Sequence, residues 1–399
     1  MRNLLLATSA LAGASVATGL LTPPALAADP IRLEVGGFFK EAYMVVFDDD
    51  KEGQLGNEHN TDGFFNDAEV HFTGSTVLDN GLEVGARIEL EGETDSDQID
   101  EAWIFFSGGF GEVRIGSDDD ALANACIVPP GGTGNFSAFS PNQWGANVFT
   151  ANDGFAFTSN SVCTGVVGDA QKIIYITPIF AGFQLTASYT PSNDETHLDG
   201  VGPHVGMPLN QDQESRHDVA VYLTYTYEGD GWGLTAGAGG SWEGHVEKSS
   251  GAVPDRKKAS FYQAGINLTF GNFAIGIVGE YYDDASFDSG GDGFLDASLE
   301  NLNDYDIWVA GIGAAYTMDA WTFGVQYSHK DDDFDVLVAP VGDKLTQDRV
   351  VGTVVYAIGP GMQIDGEIGY TWLDDDPERL DGSDDYQALE IGIGTNFTF

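Results

Sequence analysis

The stretch Asp79-Asn80-Gly81-Leu82-Glu83-Val84-Gly85-Ala86-Arg87-Ile88-Glu89-Leu90-Glu91 decides the fold class of this chain. It begins with a sequence typical of a tight hairpin turn and continues as a strand in which apolar and polar residues alternate. The apolar positions are Leu82, Val84, Ala86, Ile88 and Leu90. Because successive side chains of a strand point to opposite sides of a sheet, this strand has one apolar face and one charged face.

The same alternation extends outward from this hairpin to both ends of the chain. Residues 67–78 place Val70 and Phe72 on one face and Glu69, His71 and Thr73 on the other. The final strand has an apolar row of Leu389, Ile391, Ile393, Thr395, Phe397 and Phe399 and a second row with Tyr386, Glu390, Asn396 and Thr398. The predicted strands are 32–43, 67–78, 82–91, 99–107, 112–116, 171–180, 183–190, 217–227, 232–243, 259–270, 273–283, 304–317, 321–330, 348–358, 362–373 and 386–399.

The connections between these strands alternate between two kinds. Seven are short turns, such as 79–81, 108–111 and 271–272, and eight are longer acid-rich loops, such as 48–66 and 331–347. This segregation is what about sixteen antiparallel strands of a transmembrane barrel require, and a soluble sandwich gives no reason for it. We therefore predict an all-β fold, an antiparallel barrel whose apolar rows face lipid and whose polar rows face a watery lumen. Tyr281-Tyr282, Trp232, Trp321 and Trp372 are expected in interfacial aromatic girdles.

Residues 1–27 have the pattern of a secretory signal. Arg2 precedes an apolar run from Leu4 to Leu21, and Ala25-Leu26-Ala27 forms a small-residue cleavage site before Ala28. The alternative, an uncleaved anchor, lacks flanking stop-transfer charges. We expect export from the cytoplasm to the outer membrane and a single barrel domain over 28–399.

Charge and motifs exclude some functions and leave others open. The formal net charge of −47 argues against nucleic acid binding, which depends on clustered Lys and Arg. The sequence contains no GxSxG elbow, P-loop or complete dinucleotide fingerprint, so we expect no enzyme and no required cofactor. Two alternatives remain: an outer-membrane hydrolase, whose triad need not be local in sequence, and a calcium-loaded adhesin.

The segment 118–169 departs from the alternating pattern. Stretches such as Gly131-Gly132-Thr133-Gly134-Asn135-Phe136 supply turns but no amphipathic strand or helix. A loop of this length in a compact protein is usually functional, and we expect it to fold into the lumen and constrict it. It carries both cysteines, Cys126 and Cys163, and two cysteines in an exported chain favour a disulfide over a metal site.

The chain resembles the general porins of alphaproteobacteria. The likeness rests on Gly36-Gly37-Phe38-Phe39-Lys40, on the hairpin from Phe72-Thr73-Gly74 to Arg87, on Asp100-Glu101-Ala102-Trp103 with Gly109–Gly116, and on the terminal Phe397-Thr398-Phe399. The resemblance implies a sixteen-stranded homotrimer for passive diffusion of small hydrophilic solutes. It also implies contact with outer-membrane lipid and lipopolysaccharide, and an inward third loop at 118–169. The chain departs from it at His71, where many relatives carry arginine.

Charged residues predict the character of the pore. By strand parity Lys40, Arg87 and Arg114 point into the lumen, and Lys172 follows the loop. The loop offers Asp118, Asp119, Asp120 and Asp153. Acids facing bases would produce a transverse field, and the acidic excess favours cations. The alternative is that the bases only pair with lumen carboxylates such as Glu89.

Acidic outer loops raise a second hypothesis, calcium binding. The segment 288–296 presents Asp288, Asp292 and Asp296, and Ca²⁺ prefers several oxygen ligands. It is not an EF-hand, because Gly290 occupies the third position and Leu299 the twelfth. Ca²⁺ could bridge the loops to each other or to lipid phosphates, whereas the alternative is a solvated, repulsive loop surface.

Overall fold

One antiparallel sheet closes on itself to form a barrel. The computed structural model describes residues 30–48, 60–92, 98–139, 160–193, 215–246, 257–284, 302–336, 344–376 and 385–399. In that part of the chain the elements are β1 (Arg32–Asp48), β2 (Asp62–Val77), β3 (Glu83–Glu91), β4 (Ile99–Gly108), β5 (Gly111–Ser117), α1 (Ala121–Ala125), β6 (Gln171–Ile176), β7 (Phe183–Ser192), β8 (Ser215–Gly229), β9 (Trp232–Trp242), β10 (His245–Val246), β11 (Ser260–Phe270), β12 (Phe273–Asp283), β13 (Leu302–Met318), β14 (Trp321–Val336), β15 (Lys344–Gly359), β16 (Met362–Asp376) and β17 (Asp385–Thr398). Neighbours in sequence pair along the sheet, and β1 pairs with both β2 and β17.

The predicted barrel class and strand number are confirmed. Sixteen of the described strands form the barrel wall, and the two-residue β10 is a short extra segment that pairs with β8. No helix in the described ranges is both long and apolar enough to cross a membrane.

Several strand ends differ from the predicted ones. Strands β1, β2, β14 and β15 extend further into segments that composition assigns to polar loops, because their ladder with the neighbouring strand continues there. In β14 even Asp331-Asp332-Asp333 remains paired with β15. Strand β6 is shorter than predicted and ends at Ile176, two residues before Pro178, which cannot donate to a ladder.

The two faces of the wall have opposite exposure. Apolar side chains of the outer face are exposed: the exposed fraction is 53% for Ile277, 57% for Ile368 and 58% for Ile393. Trp232 and Trp321 are also on the outer face and exposed, as an interfacial girdle requires. Tyr281 faces outward, but Tyr282 is buried inside the barrel and its hydroxyl donates to the carbonyl of Ser161 at 3.2 Å, so the girdle prediction is wrong for Tyr282.

The ring closes at a crowded point around Gly37. Its N–H donates to the carbonyl of Phe399 at 3.2 Å, and the N–H of Phe399 donates back to the Gly37 carbonyl at 3.1 Å. Gly37 has a φ of +150°, and a Cβ there would lie 2.1 Å from the carbonyl oxygen of Glu69 on β2. Closure of β1 on both neighbours therefore needs a residue without a side chain.

We expect Gly37→Val to lower the free energy of unfolding by at least about 2 kcal/mol, because strand β1 must move away from β2 or β17. Urea unfolding of the refolded protein in detergent, followed by tryptophan emission, measures the change. Gly352→Ala is the control, since a Cβ there meets its nearest neighbour at an ordinary 3.5 Å. Equal stability of the two variants would contradict this account of closure.

Candidate functional site

The described parts of the loop, 118–139 and 160–170, lie against the inner wall of the barrel. The loop begins after β5 with helix α1, whose N-cap residue Asp120 accepts hydrogen bonds from the backbone of Leu122 at 2.8 Å and of Ala123 at 3.1 Å. Ala121 and Leu122 are fully buried in a cluster that includes Ala220 and Tyr222 of β8. The loop therefore turns into the lumen as soon as it leaves the wall.

The outgoing arm of the loop crosses the far wall one strand after another. Gln263 of β11 donates to the carbonyl of Ile127 at 2.7 Å, and Thr353 of β15 donates to that of Gly131 at 2.6 Å. Further along, the side chain of Asn135 donates to Asp365 of β16 at 2.9 Å. Each bond joins an inward polar side chain of the wall to the loop.

The returning arm retraces part of this path. Asn160 donates to Ser328 of β14 at 2.8 Å, and the N–H of Cys163 donates to Glu280 of β12 at 2.6 Å. Cys126 and Cys163 form a disulfide between the two arms, with their Cα atoms 5.5 Å apart and 37 positions apart in sequence. A ring of this length stabilises the loop by about 4 kcal/mol on the chain-entropy model.

Glycines make room for the loop on the inner wall. A Cβ on Gly313 would lie 2.0 Å from the carbonyl oxygen of Pro130, and one on Gly324 would lie 2.1 Å from that of Gly131. At Gly311 a Cβ would meet the ring of Phe139 at 2.5 Å. The loop thus lies directly on the backbone of β13 and β14, so side chains at these positions would displace it.

Lys172 and Asp118, two of the predicted pore charges, lie buried at the root of the loop. Lys172 points inward with 3% of its surface exposed, and its ammonium donates to the carbonyls of Asp118, Gly168 and Ala170. It therefore joins the two ends of the loop, which corrects the expectation that Lys172 is a charge on the pore wall. Asp118, also buried, accepts from Arg114 at 3.0 Å and from Asn124 at 3.0 Å.

The remaining predicted acids have different environments. Asp120 is buried, and its burial raises the pKa of its carboxyl group, although hydrogen bonds from Ser241, Ala123 and Leu122 oppose the rise. Asp119 is exposed, and its N–H donates to Glu101 of β4 at 3.0 Å. Asp153 lies outside the described residues, as do the candidate calcium ligands Asp288, Asp292 and Asp296.

Strands β1 to β5 carry the predicted bases on their inner face. Arg87 and Arg114 both lie over the ring of Trp103, with guanidinium carbons 5.4 and 5.3 Å from its centre. Arg114 also donates to Glu112 at 2.7 Å, and Lys40 pairs with Asp67 at 2.6 Å. The inward orientation follows the predicted parity, and both arginines make cation–π contact with the same indole ring.

These contacts differ from the predicted transverse field, in which acids would face bases across the lumen. Each of the three bases pairs with an acid on its own strand, an adjacent strand or the root of the loop, and Arg87 contacts Glu89. Asp118 and Asp120 do not face bases across the lumen: one binds Arg114 beside it and the other caps a helix. Local pairing, the alternative reading of the bases, describes this wall.

Sequence analysis did not assign a role to several other side chains of the inner wall. Arg349 of β15 is buried and pairs with Glu390 of β17 at 2.7 Å, and Glu280 and Asp365 hold the loop. Parity places Glu390, Glu280 and Asp365 inside the barrel, which is a usable signal. Their partners could not be named, because sequence does not say which strand each loop residue crosses.

Comparisons with known proteins agree with this architecture. A family model described as Gram-negative porin matches residues 7–376. The chain is 25% identical over 193 residues to a monosaccharide porin of Halomonas sp. and to the major outer membrane protein of Halomonas elongata; the match covers 46% of this chain and 48% of each relative. The chain thus spans about half the length of the curated relatives it matches.

Solved structures show the same fold over most of the chain. OmpT of Vibrio cholerae has a TM-score of 0.55 at 13% identity, covering 94% of this chain and 99% of the other. An anion-selective porin from Comamonas acidovorans has a TM-score of 0.55 at 13% identity, covering 93% and 100%.

We expect Gln326→Leu to loosen the loop. The Gln326 amide accepts from Ser137 and from the N–H of Ala138, each at 2.9 Å, and donates to the carbonyl of Pro129 at 2.9 Å. Leucine removes these three hydrogen bonds, at a cost of about 1–3 kcal/mol, so the loop detaches more often. Reduction of the Cys126–Cys163 disulfide by a small thiol, measured by thiol labelling, should become about tenfold faster.

Gln184→Leu is the matched control for this experiment. Gln184 also lies on the inner face, but its amide donates to Thr177 near a short turn, at 3.1 Å. Equal reduction rates in the two variants would show that Gln326 does not hold the loop.

Proposed function

This chain belongs to the family of Gram-negative porins, and we propose that it is an outer-membrane channel for passive diffusion of small hydrophilic solutes and ions. The observation that carries this proposal is the path of the loop. Its described arms cover inner positions from β7 to β17, while the inner faces of β2 to β5 keep a row of polar and charged side chains. Family and fold favour a channel over the hydrolase and adhesin alternatives.

The uncovered wall supports a broad range of small polar solutes. Paired bases and acids present hydrogen-bond donors and acceptors side by side, as in Lys40 with Asp67 and Arg114 with Glu112. Such a wall can replace the hydration shell of neutral polyhydroxylated solutes. One of the Halomonas relatives is named for monosaccharides, and we extend that solute class to this chain.

We propose a preference for cations on the basis of this chain's own charges. The inner wall of β1 to β6 includes four bases, Lys40, Arg87, Arg114 and Lys172. They lie among a larger group of acids, namely Asp67, Glu69, Glu89, Glu101, Glu112, Asp118 and Asp119. An acidic excess on a pore wall raises the local concentration of cations. The Comamonas neighbour shares only the fold, so its anion selectivity does not decide the sign here.

We expect a reversal potential under a KCl gradient that indicates preference for K⁺ over Cl⁻. Asp119→Asn combined with Glu101→Gln should lower the permeability ratio about twofold, because it removes two carboxylates from the wall. Asp230→Asn, in the exposed turn between β8 and β9, is the control and should leave the ratio unchanged. Preference of the unaltered protein for Cl⁻ would refute the proposal.

A trimer is supported by the outer face of β2 to β5. Outward positions of these four strands carry neither Tyr nor Trp, whereas β6 to β9 and β11 to β16 each carry at least one. The outward residues of β3 to β5 include Ala86, Ala102, Ile104, Val113 and Ile115. This face also carries exposed Phe64, Phe72 and Ile88, so it is apolar but has no Tyr or Trp for an interfacial girdle, which fits contact with protein better than contact with the lipid interface. We place the homotrimer interface there, with outer-membrane lipid and lipopolysaccharide around the aromatic strands.

We expect Ala86→Trp to reduce the detergent-solubilised assembly from a trimer to a monomer, because the indole cannot fit between packed barrels. Light scattering after size-exclusion chromatography gives the mass. Ala238→Trp adds the same side chain to the exposed outer face of β9 and should remain trimeric. A trimer in both variants would move the interface elsewhere.

Two further proposals concern parts outside the described residues. We propose that residues 1–27 are removed on export, and that Ca²⁺ binds Asp288, Asp292 and Asp296. The N-terminal sequence of the mature protein and a calcium titration of its thermal stability would test them.

A further inference from the structure

A nitrogen ligand and two carboxylates converge on the inner wall at β2 and β3. The Nε2 atom of His71 lies 2.7 Å from Oε2 of Glu69 and 3.2 Å from Oε2 of Glu89. The ligand atoms of the three residues lie within 4.8 Å of one another. Strand geometry produces this grouping, because Glu69 and His71 are two positions apart on one face and His71 is the cross-strand partner of Glu89.

We propose that Glu69, His71 and Glu89 form a binding site for a divalent transition metal such as Zn²⁺. One imidazole and two carboxylates are a donor set that Zn²⁺ accepts, with the fourth position open to a water molecule in the lumen. Ca²⁺ and Mg²⁺ favour all-oxygen shells with more ligands, so the histidine selects against them.

Neighbouring residues orient the three ligands. Arg87 contacts Oε1 of Glu89, which leaves Oε2 directed at His71. The side chains of Glu69, His71 and Glu89 are only 15%, 18% and 8% exposed, so the wall restricts their movement. Glu91 and Asp100 lie beside Glu69 and add negative charge that attracts a cation.

Binding requires one local rearrangement. Arg87 lies 2.9 Å from Nδ1 of His71 and donates to it, so in the metal-free wall Nε2 carries the imidazole proton and donates to Glu69. When a metal takes Nε2, this proton moves to Nδ1 and the guanidinium turns away from the ring. The Arg87 side chain is 34% exposed, so it can turn toward water in the lumen.

Binding of Zn²⁺ at this site would change the ion current through the barrel. A bound Zn²⁺ adds two positive charges to the wall that carries the acidic excess, so the current should fall and the preference for K⁺ should decrease. This consequence rests on the proposed channel function, whereas the site itself does not.

Calorimetric titration of the refolded protein in detergent with ZnCl₂ at neutral pH tests the site directly. We expect His71→Ala to raise the half-saturating concentration of one Zn²⁺ per chain more than about tenfold, and Glu69→Gln to raise it in the same direction. His329→Ala removes a histidine from the outer face, where it binds Asp348 at 2.8 Å, and should bind as the unaltered protein does. Mg²⁺ at the same concentrations should not compete.

Two calorimetric results would overturn the site. The first is an unaltered protein that binds no Zn²⁺, and the second is unchanged binding in both His71→Ala and Glu69→Gln. Planar-bilayer recordings with and without ZnCl₂ separate this inference from the proposed function. A protein that binds Zn²⁺ through His71 but never conducts would refute the channel and leave the zinc site intact. A protein that conducts but binds no Zn²⁺ would support the channel and refute the zinc site.

Discussion

The hydrogen bonds between β1 and β17 are the interaction on which the rest of the structure depends. In a membrane no water satisfies the N–H and C=O groups of an edge strand, so a sheet is stable there only as a closed ring. Eleven residue pairs from Phe38–Thr398 to Asp48–Ala388 form this junction. Gly37 allows it by bringing β1 close to both neighbours at once. The first and last strands of the barrel must therefore meet before any inner surface exists.

Closure creates an interior that the chain itself must fill in part. The loop fills part of this interior. It lies against inner-wall glycines such as Gly311, Gly313 and Gly324, where its backbone and aromatic rings occupy the space that side chains would take. Inward polar groups such as Gln263, Gln326 and Thr353 satisfy its carbonyls, because a loop on an inner wall cannot leave them all to water. The disulfide then holds the outgoing arm to the returning one. Wall and loop are thus complementary in both shape and hydrogen bonding.

The sequence predicts the direction of side chains correctly wherever the two-residue alternation of a strand determines it. Alternation placed Val70, Ile88 and Ile393 outside and Lys40, Arg87 and Arg114 inside, since a half-buried strand allows only one assignment of faces. The contacts of the loop with the barrel wall were harder to predict. The sequence does not show that Lys172 joins the two ends of the loop, because that role depends on a contact with the carbonyl of Asp118, 54 positions away. The capping role of Asp120 is local, since it binds the N–H groups of Leu122 and Ala123, but a five-residue helix leaves too short a pattern to be recognised. Tyr282 shows the same limit: its position next to Tyr281 could not reveal that only one ring faces lipid.

The location of the Cys126–Cys163 disulfide has a consequence for biogenesis. Both sulfurs belong to a loop whose described arms lie against the inside of the barrel wall. A thiol oxidase the size of a folded domain cannot enter that space, whereas small oxidants can. Oxidation by such an enzyme would therefore have to precede closure of the barrel, with the loop already folded back on itself, whereas a small oxidant could form the cross-link afterwards.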